Sequence, residues 1–396
     1  MAKPRKPIHL DNAATTFERP EVSETVREWA GCANAMSLQH SAGRAAAGAV
    51  ETARERVARL INASPSEVFF TSGATEANNW VLAGWCDNHL KPSPAGKQGS
   101  YDNPCAILSP ATEHHSVTET VRALSAHGRA EPRTIEVDGE GLVWPDALEA
   151  AVRHRRCTGT PLASVMRVNN ETGALQDIKT LAAAAHRHGA WFHCDATAAV
   201  GKIKVDVRDL NVDFLSLSAH KFHGPKGVGA LYIRSGTRLL SRWMNGGGQE
   251  SGLRAGTCNV PGIAGMGVAA RIVERDGPGR AASLDGFLHR LSEALPGVRV
   301  LSPEEGVSCI ASVSFADVDG EAVATYLDGV YGVQIGVGAA CASAGRSHVL
   351  EAMEVPEPVL RGAVRFSTSF ATTPGELDQA AQAVVETVMK LRRMNP

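Results

Sequence analysis

Ser218-Ala219-His220-Lys221-Phe222-His223-Gly224-Pro225-Lys226-Gly227-Val228-Gly229 follows Val212-Asp213-Phe214-Leu215-Ser216-Leu217, an apolar run that reads as a buried strand. Lys221 thus stands at the mouth of that strand, flanked by a hydroxyl and an imidazole. Burying an unpaired ammonium is costly. A Schiff base to a cofactor aldehyde removes that cost and gives the lysine a chemical role. Lys226, in the Gly-Pro-Lys-Gly turn, reads as a solvated loop charge.

On either side of this stretch, strand-like runs alternate with helical patterns. Strands are expected at 68–71, 105–109, 163–168 and 190–195, and helices at 75–86, 116–127 and 180–188. This rhythm predicts an α/β fold with a mainly parallel sheet covered by helices on both faces. Ligands of such sheets bind at the carboxyl ends of the strands. Thr75, His114, Asn170, Asp195 and Lys221 fall at those ends. Residues 90–104 are rich in Pro, Gly, Ser and Lys and read as an exposed loop. A helix over 262–275 ends at the turn Asp276-Gly277-Pro278-Gly279. Beyond it the pattern is that of a smaller α+β unit, with strands at 312–315 and 363–367 and helices at 320–327 and 374–391. The expected organisation is an N-terminal segment, 1–15, packing on the small domain; a large domain, 16–261; and a small C-terminal domain, 262–396, that carries Cys341.

The chain has 396 residues, 43% of them hydrophobic, enough for a large domain with a smaller partner. The formal net charge is −2 and no basic block stands out, which argues against a nucleic-acid surface. The start, Met1-Ala2-Lys3-Pro4-Arg5-Lys6-Pro7, is basic without an apolar stretch after it, and no run of about 18 apolar residues occurs. The expectation is a soluble, cytoplasmic protein with no membrane partner. The eight cysteines (Cys32, Cys86, Cys105, Cys157, Cys194, Cys258, Cys309 and Cys341) are scattered, with no C-x-x-C pair, which speaks against a zinc ribbon or a thioredoxin-like site.

Thr71-Ser72-Gly73-Ala74-Thr75-Glu76-Ala77-Asn78 joins a strand end to a helix start, where free N–H groups and the helix dipole favour an anion. Its ordinary reading is a Ser/Thr N-cap. Asp195 reads either as a helix N-cap or as a carboxylate paired with a protonated pyridine nitrogen. His114 could stack on a flat ring. Taken together with Lys221, these residues favour the cofactor reading. No G-x-G-x-x-G opens a helix after an early strand, so a dinucleotide site is not expected. Cys341 lies in Gly336-Val337-Gly338-Ala339-Ala340-Cys341-Ala342-Ser343-Ala344-Gly345. Small residues on both sides mark a loop rather than a core, which raises Cys341 above the other seven as a nucleophile.

Several segments then join in order and spacing: Asp11-Asn12-Ala13-Ala14-Thr15-Thr16, 71–78, Asn169-Asn170-Glu171-Thr172-Gly173, Asp195-Ala196-Thr197, 218–229, and Gly246-Gly247-Gly248-Gln249-Glu250 through Gly256-Thr257. Together they resemble the cysteine desulfurases of the iron–sulfur-cluster and nitrogen-fixation class, which are fold-type I pyridoxal-phosphate enzymes. The resemblance spans nearly the whole chain. It implies that Lys221 carries pyridoxal 5'-phosphate, that Asp195 pairs with the pyridine nitrogen and that His114 stacks on the ring. Ala74, Thr75, Ser218 and His220 would bind the phosphate, and Thr257 would reach the phosphate of the other subunit of a homodimer. Asn170 would lie near the ring hydroxyl and the substrate, with Asn34 at the substrate entry. Arg365 would hold the substrate carboxylate in a bidentate fork. Cys341 would take the sulfur of L-cysteine as a persulfide and pass it to an iron–sulfur scaffold or another acceptor. No permanent metal site is implied, only transient iron ligation through that sulfur.

The chain departs from the family pattern at three places. Ala198 stands where the family has a glutamine that bonds the ring hydroxyl. The segment after Cys341 reaches Ser347-His348-Val349-Leu350 sooner, and a shorter loop has less reach. Asn34-Ala35 replaces the family's Asn-Pro. A selenocysteine lyase or another pyridoxal-phosphate lyase is the alternative enzyme. A non-catalytic sulfur-transfer or scaffold-binding protein is the alternative of another kind, and the retained Lys221, Asp195 and Arg365 argue against it. The sulfur acceptor, and a housekeeping as against a nitrogenase-dedicated role, stay open at this level.

Overall fold

The computed structural model describes residues 7–89, 104–153, 160–237, 240–337 and 346–394. The strands in chain order are β1 (Ile8–Leu10), β2 (Val68–Thr71), β3 (Cys105–Pro110), β4 (Ala130–Ile135), β5 (Leu162–Ser164), β6 (Trp191–Asp195), β7 (Phe214–Ser218), β8 (Gly229–Ile233), β9 (Val298–Val300), β10 (Ile310–Phe315), β11 (Val333–Val337) and β12 (Ala363–Ser367).

Seven of them form one sheet in the order β2-β8-β7-β6-β5-β3-β4. From β7 to β4 all neighbours run parallel, while β8 is antiparallel to both β7 and β2. Strands β6 and β7 are buried on both faces, as apolar runs in a parallel sheet must be. The two reversals around β8 return β2 to the direction of β7. The carboxyl ends of β2 and β7 therefore meet at one edge of the sheet: Thr71 and Ser218 both pair with Gly229. Glycine is required there, because a Cβ at residue 229 would stand 2.6 Å from Leu217 O and 2.7 Å from Gly73 Cα.

The strand expected at 163–168 ends at Ser164. Val165 N and Arg167 N still reach β6, bonding to His193 O at 3.1 Å and Asp195 O at 2.9 Å. Between them Met166 N is taken by the Glu113 carboxylate at 2.5 Å, which pulls this backbone out of the ladder. The 90–104 loop lies almost entirely outside the described residues.

Helices cover both faces of this sheet. Ser41–Leu60 and Val260–Asp276 pack on each other closely, since Gly267 leaves no Cβ where one would stand 2.6 Å from Ala53 Cα. The buried side of Val260–Asp276 belongs to the core of the large sheet. A second sheet, in the order β1-β11-β12-β10-β9, has its own core under the helices Asp285–Ala294 and Pro374–Met394. Its edge strand β1 comes from the N-terminus and pairs parallel with β11. Among the described residues, no helix is long and apolar enough to cross a membrane.

Candidate active site

A cavity of about 390 Å³ opens at the carboxyl edge of the large sheet. Each wall comes from the end of one strand. The Gly73-Ala74-Thr75 turn after β2 begins the helix Ala74–His89 and lines the cavity, at the helix end whose first N–H groups lack intrahelical acceptors. Glu76 ties the turn down. One of its oxygens accepts from Ser72 N at 2.7 Å, and Arg254 grips both from the other side at 2.8 and 3.0 Å. Ser218, His220 and Lys221 follow β7, and Asp195 ends β6.

Asp195 is 5% exposed. It accepts from Asn78 Nδ2 at 2.7 Å and from Thr197 N at 2.9 Å, both neutral donors. Asn78 uses its other amide hydrogen on Ser116 Oγ, 2.8 Å away. Ser116 in turn meets His114: its N–H donates to His114 Nδ1 at 3.1 Å, and its hydroxyl lies 2.9 Å from the same nitrogen. Nδ1 is thus the acceptor, so neutral His114 carries its proton on Nε2. Burial lowers the pKa of His114, against the attraction of Asp195, and the Lys221 charge adds to the lowering. One chain of hydrogen bonds therefore sets both the carboxylate and the imidazole.

Lys221 is roofed by the N-terminal segment. Its Nζ donates to Ala13 O at 2.5 Å and Ala14 O at 2.9 Å. Thr16 holds the same turn by donating N–H and Oγ1–H to His220 O, both at 2.9 Å. That is the structural work of the motif at 11–16. His220 Nδ1 lies 3.1 Å from Thr15 Oγ1, and burial with the nearby Lys221 charge pushes its pKa down to about 4. It is a neutral donor or acceptor at ordinary pH.

Of the residues expected from the sequence, Ala74, Thr75, His114, Asn170, Asp195, Ser218, His220 and Lys221 line this one cavity. Ala198 lines it as well, with no polar group to offer. Arg365 is 3% exposed and stands behind Asn170, giving Nη1–H to Asn170 O at 3.0 Å and Nη2–H to Asp11 at 2.7 Å. Its Nε is buried without a partner. Thr257 and Asn34 are exposed and apart from the cavity, and Asn34 Oδ1 accepts from Met36 N. Cys341 lies outside the described residues. Lys226 is exposed, as expected, yet it contributes to the cavity wall. The sequence reading missed Asn78, Ser116 and Thr197 as partners of the site. The signal for Asn78 was present: it is a polar residue on a helix face otherwise made of Ala77, Trp80 and Val81, all fully buried.

Glu113 packs below this floor, fully buried, and its carboxyl pKa is pushed well above the usual range, first by burial and then by the Asp195 charge.

The family model for class-V aminotransferases matches residues 8–380. The chain is 39% identical, over 98% of its length and 94% of the relative, to the protein named cysteine desulfurase IscS of Anaeromyxobacter sp. strain Fw109-5. Among solved structures, one titled NifS-like protein covers 98% of this chain and all of its own at 34% identity, with a TM-score of 0.85. Another, titled SspA in complex with cysteine, covers 92% of this chain and 99% of its own at 30% identity, with a TM-score of 0.78. The order of motifs, the strand-end cavity and these likenesses agree, and the chain belongs to the class-V aminotransferase family and, within it, to the cysteine desulfurases.

Proposed function

We propose that this protein removes the sulfur of L-cysteine, releases L-alanine, and carries the sulfur on Cys341 to an iron–sulfur scaffold or another acceptor. The observation that carries this reading is the convergence of Lys221, Asp195 and His114 on one cavity at the sheet edge. The chain depends on pyridoxal 5'-phosphate, as its family does, and the residues present fit that group. Asp195 is a buried carboxylate held by two neutral donors, so a protonated ring nitrogen would be the cation it meets. Thr197 Oγ1 and Asn78 Oδ1 are buried polar atoms beside it that still lack partners. The helix start at Ala74 and Thr75, with Ser218 and His220, would hold the phosphate. Thr257, exposed on one subunit, would complete that cradle in the partner of a homodimer, and the exposed Met36, Leu38 and Met244 suit such a contact.

When bound, the cofactor supplies an electron sink for charge that develops on the substrate α-carbon. Lys221 Nζ takes the α-proton as a general base. Neutral His114 offers its ring face to the cofactor and its Nε2 proton to the substrate side. Asn170 and Arg365 orient the substrate, and the partnerless Nε–H of Arg365 is ready for its carboxylate. The Cys341 thiolate attacks the substrate sulfur. An S–S bond forms as the C–S bond breaks, and the carbon, once protonated, leaves as alanine. Placement in the cytoplasm agrees with the six described cysteines, all free thiols. The small domain is read as beginning at the 276–279 turn and including β1.

Alanine and sulfide released from L-cysteine are measured for the wild type and Cys341→Ala. The variant is expected to keep its cofactor and lose the activity. Full activity in Cys341→Ala removes the persulfide route. Borohydride reduction followed by peptide mass spectrometry places the cofactor, and a label at any lysine other than Lys221 removes the anchor assignment.

A further inference from the structure

Lys221 lines a second, smaller cavity of about 50 Å³. This one lies where the segment after Asp195, the end of the helix Val260–Asp276 and residues 368–370 come together. It belongs to none of the steps above, and its walls are unusually cationic.

Lys202 is the key wall residue. It is 8% exposed, and its Nζ is buried with no hydrogen-bond partner. Burial lowers the pKa of Lys202, so an anion beside its Nζ is what would hold it as an ammonium. The groups around it do not supply one. The neighbouring Cys309 thiol has its pKa raised by burial, so it stays neutral, and Arg365 on the same side repels. The one carboxylate in the wall is Asp276, which pairs with Arg19 at 3.0 Å and with Arg275 at 2.7 Å.

Arg19 adds a second unmet donor. Its guanidinium lies 3.4 Å from the centre of the Phe370 ring and gives Nη2–H to Asp276, while its Nε is buried without a partner. Arg280 adds a third positive charge at the exposed side of the wall. Arg19, Lys202 and Arg280 thus stand against a single acid. The space is enough for one small ion, since a water molecule occupies about 30 Å³ of liquid.

We propose that this cavity binds one small inorganic anion of halide size, with Lys202 Nζ and Arg19 Nε as its donors. Because Lys221 lines the same cavity, a negative charge there favours the protonated form of its amine. Lys221 lines both cavities, so anion occupancy acts on the lysine while the anion itself lies outside the larger cavity.

Bromide serves as the probe. Crystals of the holoenzyme grown in sodium bromide are expected to show an anomalous peak within hydrogen-bond reach of Lys202 Nζ, and crystals of Lys202→Met are expected to lack it. In solution, melting temperature is followed as bromide replaces gluconate at constant ionic strength. The wild type is expected to gain stability saturably, with half-saturation at least about tenfold higher in Lys202→Met, as loss of a charge-assisted bond requires. If Lys202→Met does not fold, Arg280→Gln, an exposed change, is expected to weaken bromide binding without removing the peak. A wild-type cavity that holds water alone overturns the proposal, and so does a peak that persists unchanged in Lys202→Met.

Discussion

Asn78→Ala tests the hydrogen-bond chain that sets the site. Asn78 is fully buried and spends both amide hydrogens there, on Asp195 at 2.7 Å and on Ser116 at 2.8 Å. The first bond is charge-assisted and contributes about 1.5–3 kcal/mol, the second about 0.5–1.5 kcal/mol. Thr197 N still holds one Asp195 oxygen in the variant, so the carboxylate stays but loses its orientation. If the charge-assisted part is what aligns Asp195 with the cofactor nitrogen, the cofactor dissociation constant rises by about 10- to 100-fold, at about 1.4 kcal/mol per tenfold. Equilibrium dialysis of the cofactor against the variant gives that constant directly. The same substitution in an Asp195→Asn background is expected to cost less than about threefold, because the bond it removes is no longer charged. A cofactor affinity within about twofold of wild type, or equal effects in both backgrounds, refutes the claim that Asn78 acts through Asp195.

Other outcomes follow from single residues. Arg365→Lys loses the fork geometry and its buried Nε–H, so KM for L-cysteine is expected to rise by about tenfold or more with a smaller change in kcat; steady-state kinetics decide, and an unchanged KM contradicts the carboxylate role. Gly229→Ala places a methyl 2.6 Å from Leu217 O and 2.7 Å from Gly73 Cα, which is expected to cost about 1–3 kcal/mol and to loosen the Gly73-Ala74-Thr75 turn; an unaltered melting temperature contradicts it. His193 is fully buried between Ser164 Oγ and Ser216 Oγ, and burial lowers its pKa from 6.5 to about 4. Its folded state therefore refuses a proton that the unfolded chain accepts. That stability is complete above pH 6.5 and is lost as pH falls toward about 4. Urea midpoints measured across this range are expected to fall more steeply in wild type than in His193→Gln, and parallel curves would contradict the assignment.

The legibility of this chain varied by element for physical reasons. Strands β6 and β7 were plain in the sequence because a strand covered on both faces must be continuously apolar. The strand expected over 163–168 was too long: a single bond from Glu113, more than 50 positions earlier, takes the backbone at Met166 out of the ladder. Local periodicity carries no trace of such a contact. The 276–279 turn was visible as a break, but which core the helix before it joins depends on packing against 41–60.

The same holds at the site. The motifs around Thr75, His114, Asn170, Asp195 and Lys221 could be read one by one, since each pairs a strand end with a residue type whose chemistry is local. Asn78 was missed because a buried asparagine gains a role only from what it faces. The roof formed by Ala13 and Ala14 over Lys221 was likewise silent, as backbone carbonyls look alike in any sequence. The stack of motifs alone thus determined the family and singled out Lys221 and Cys341 as the residues proposed to hold the cofactor and take the sulfur, because those readings depend on residue identity and spacing. Tertiary structure decided that two reversals around β8 bring Thr71 and Ser218 to one edge, that one hydrogen-bond chain governs Asp195 and His114, and that Lys202 ends buried without a partner. Those are properties of distance between remote segments, and only the folded chain sets such distances.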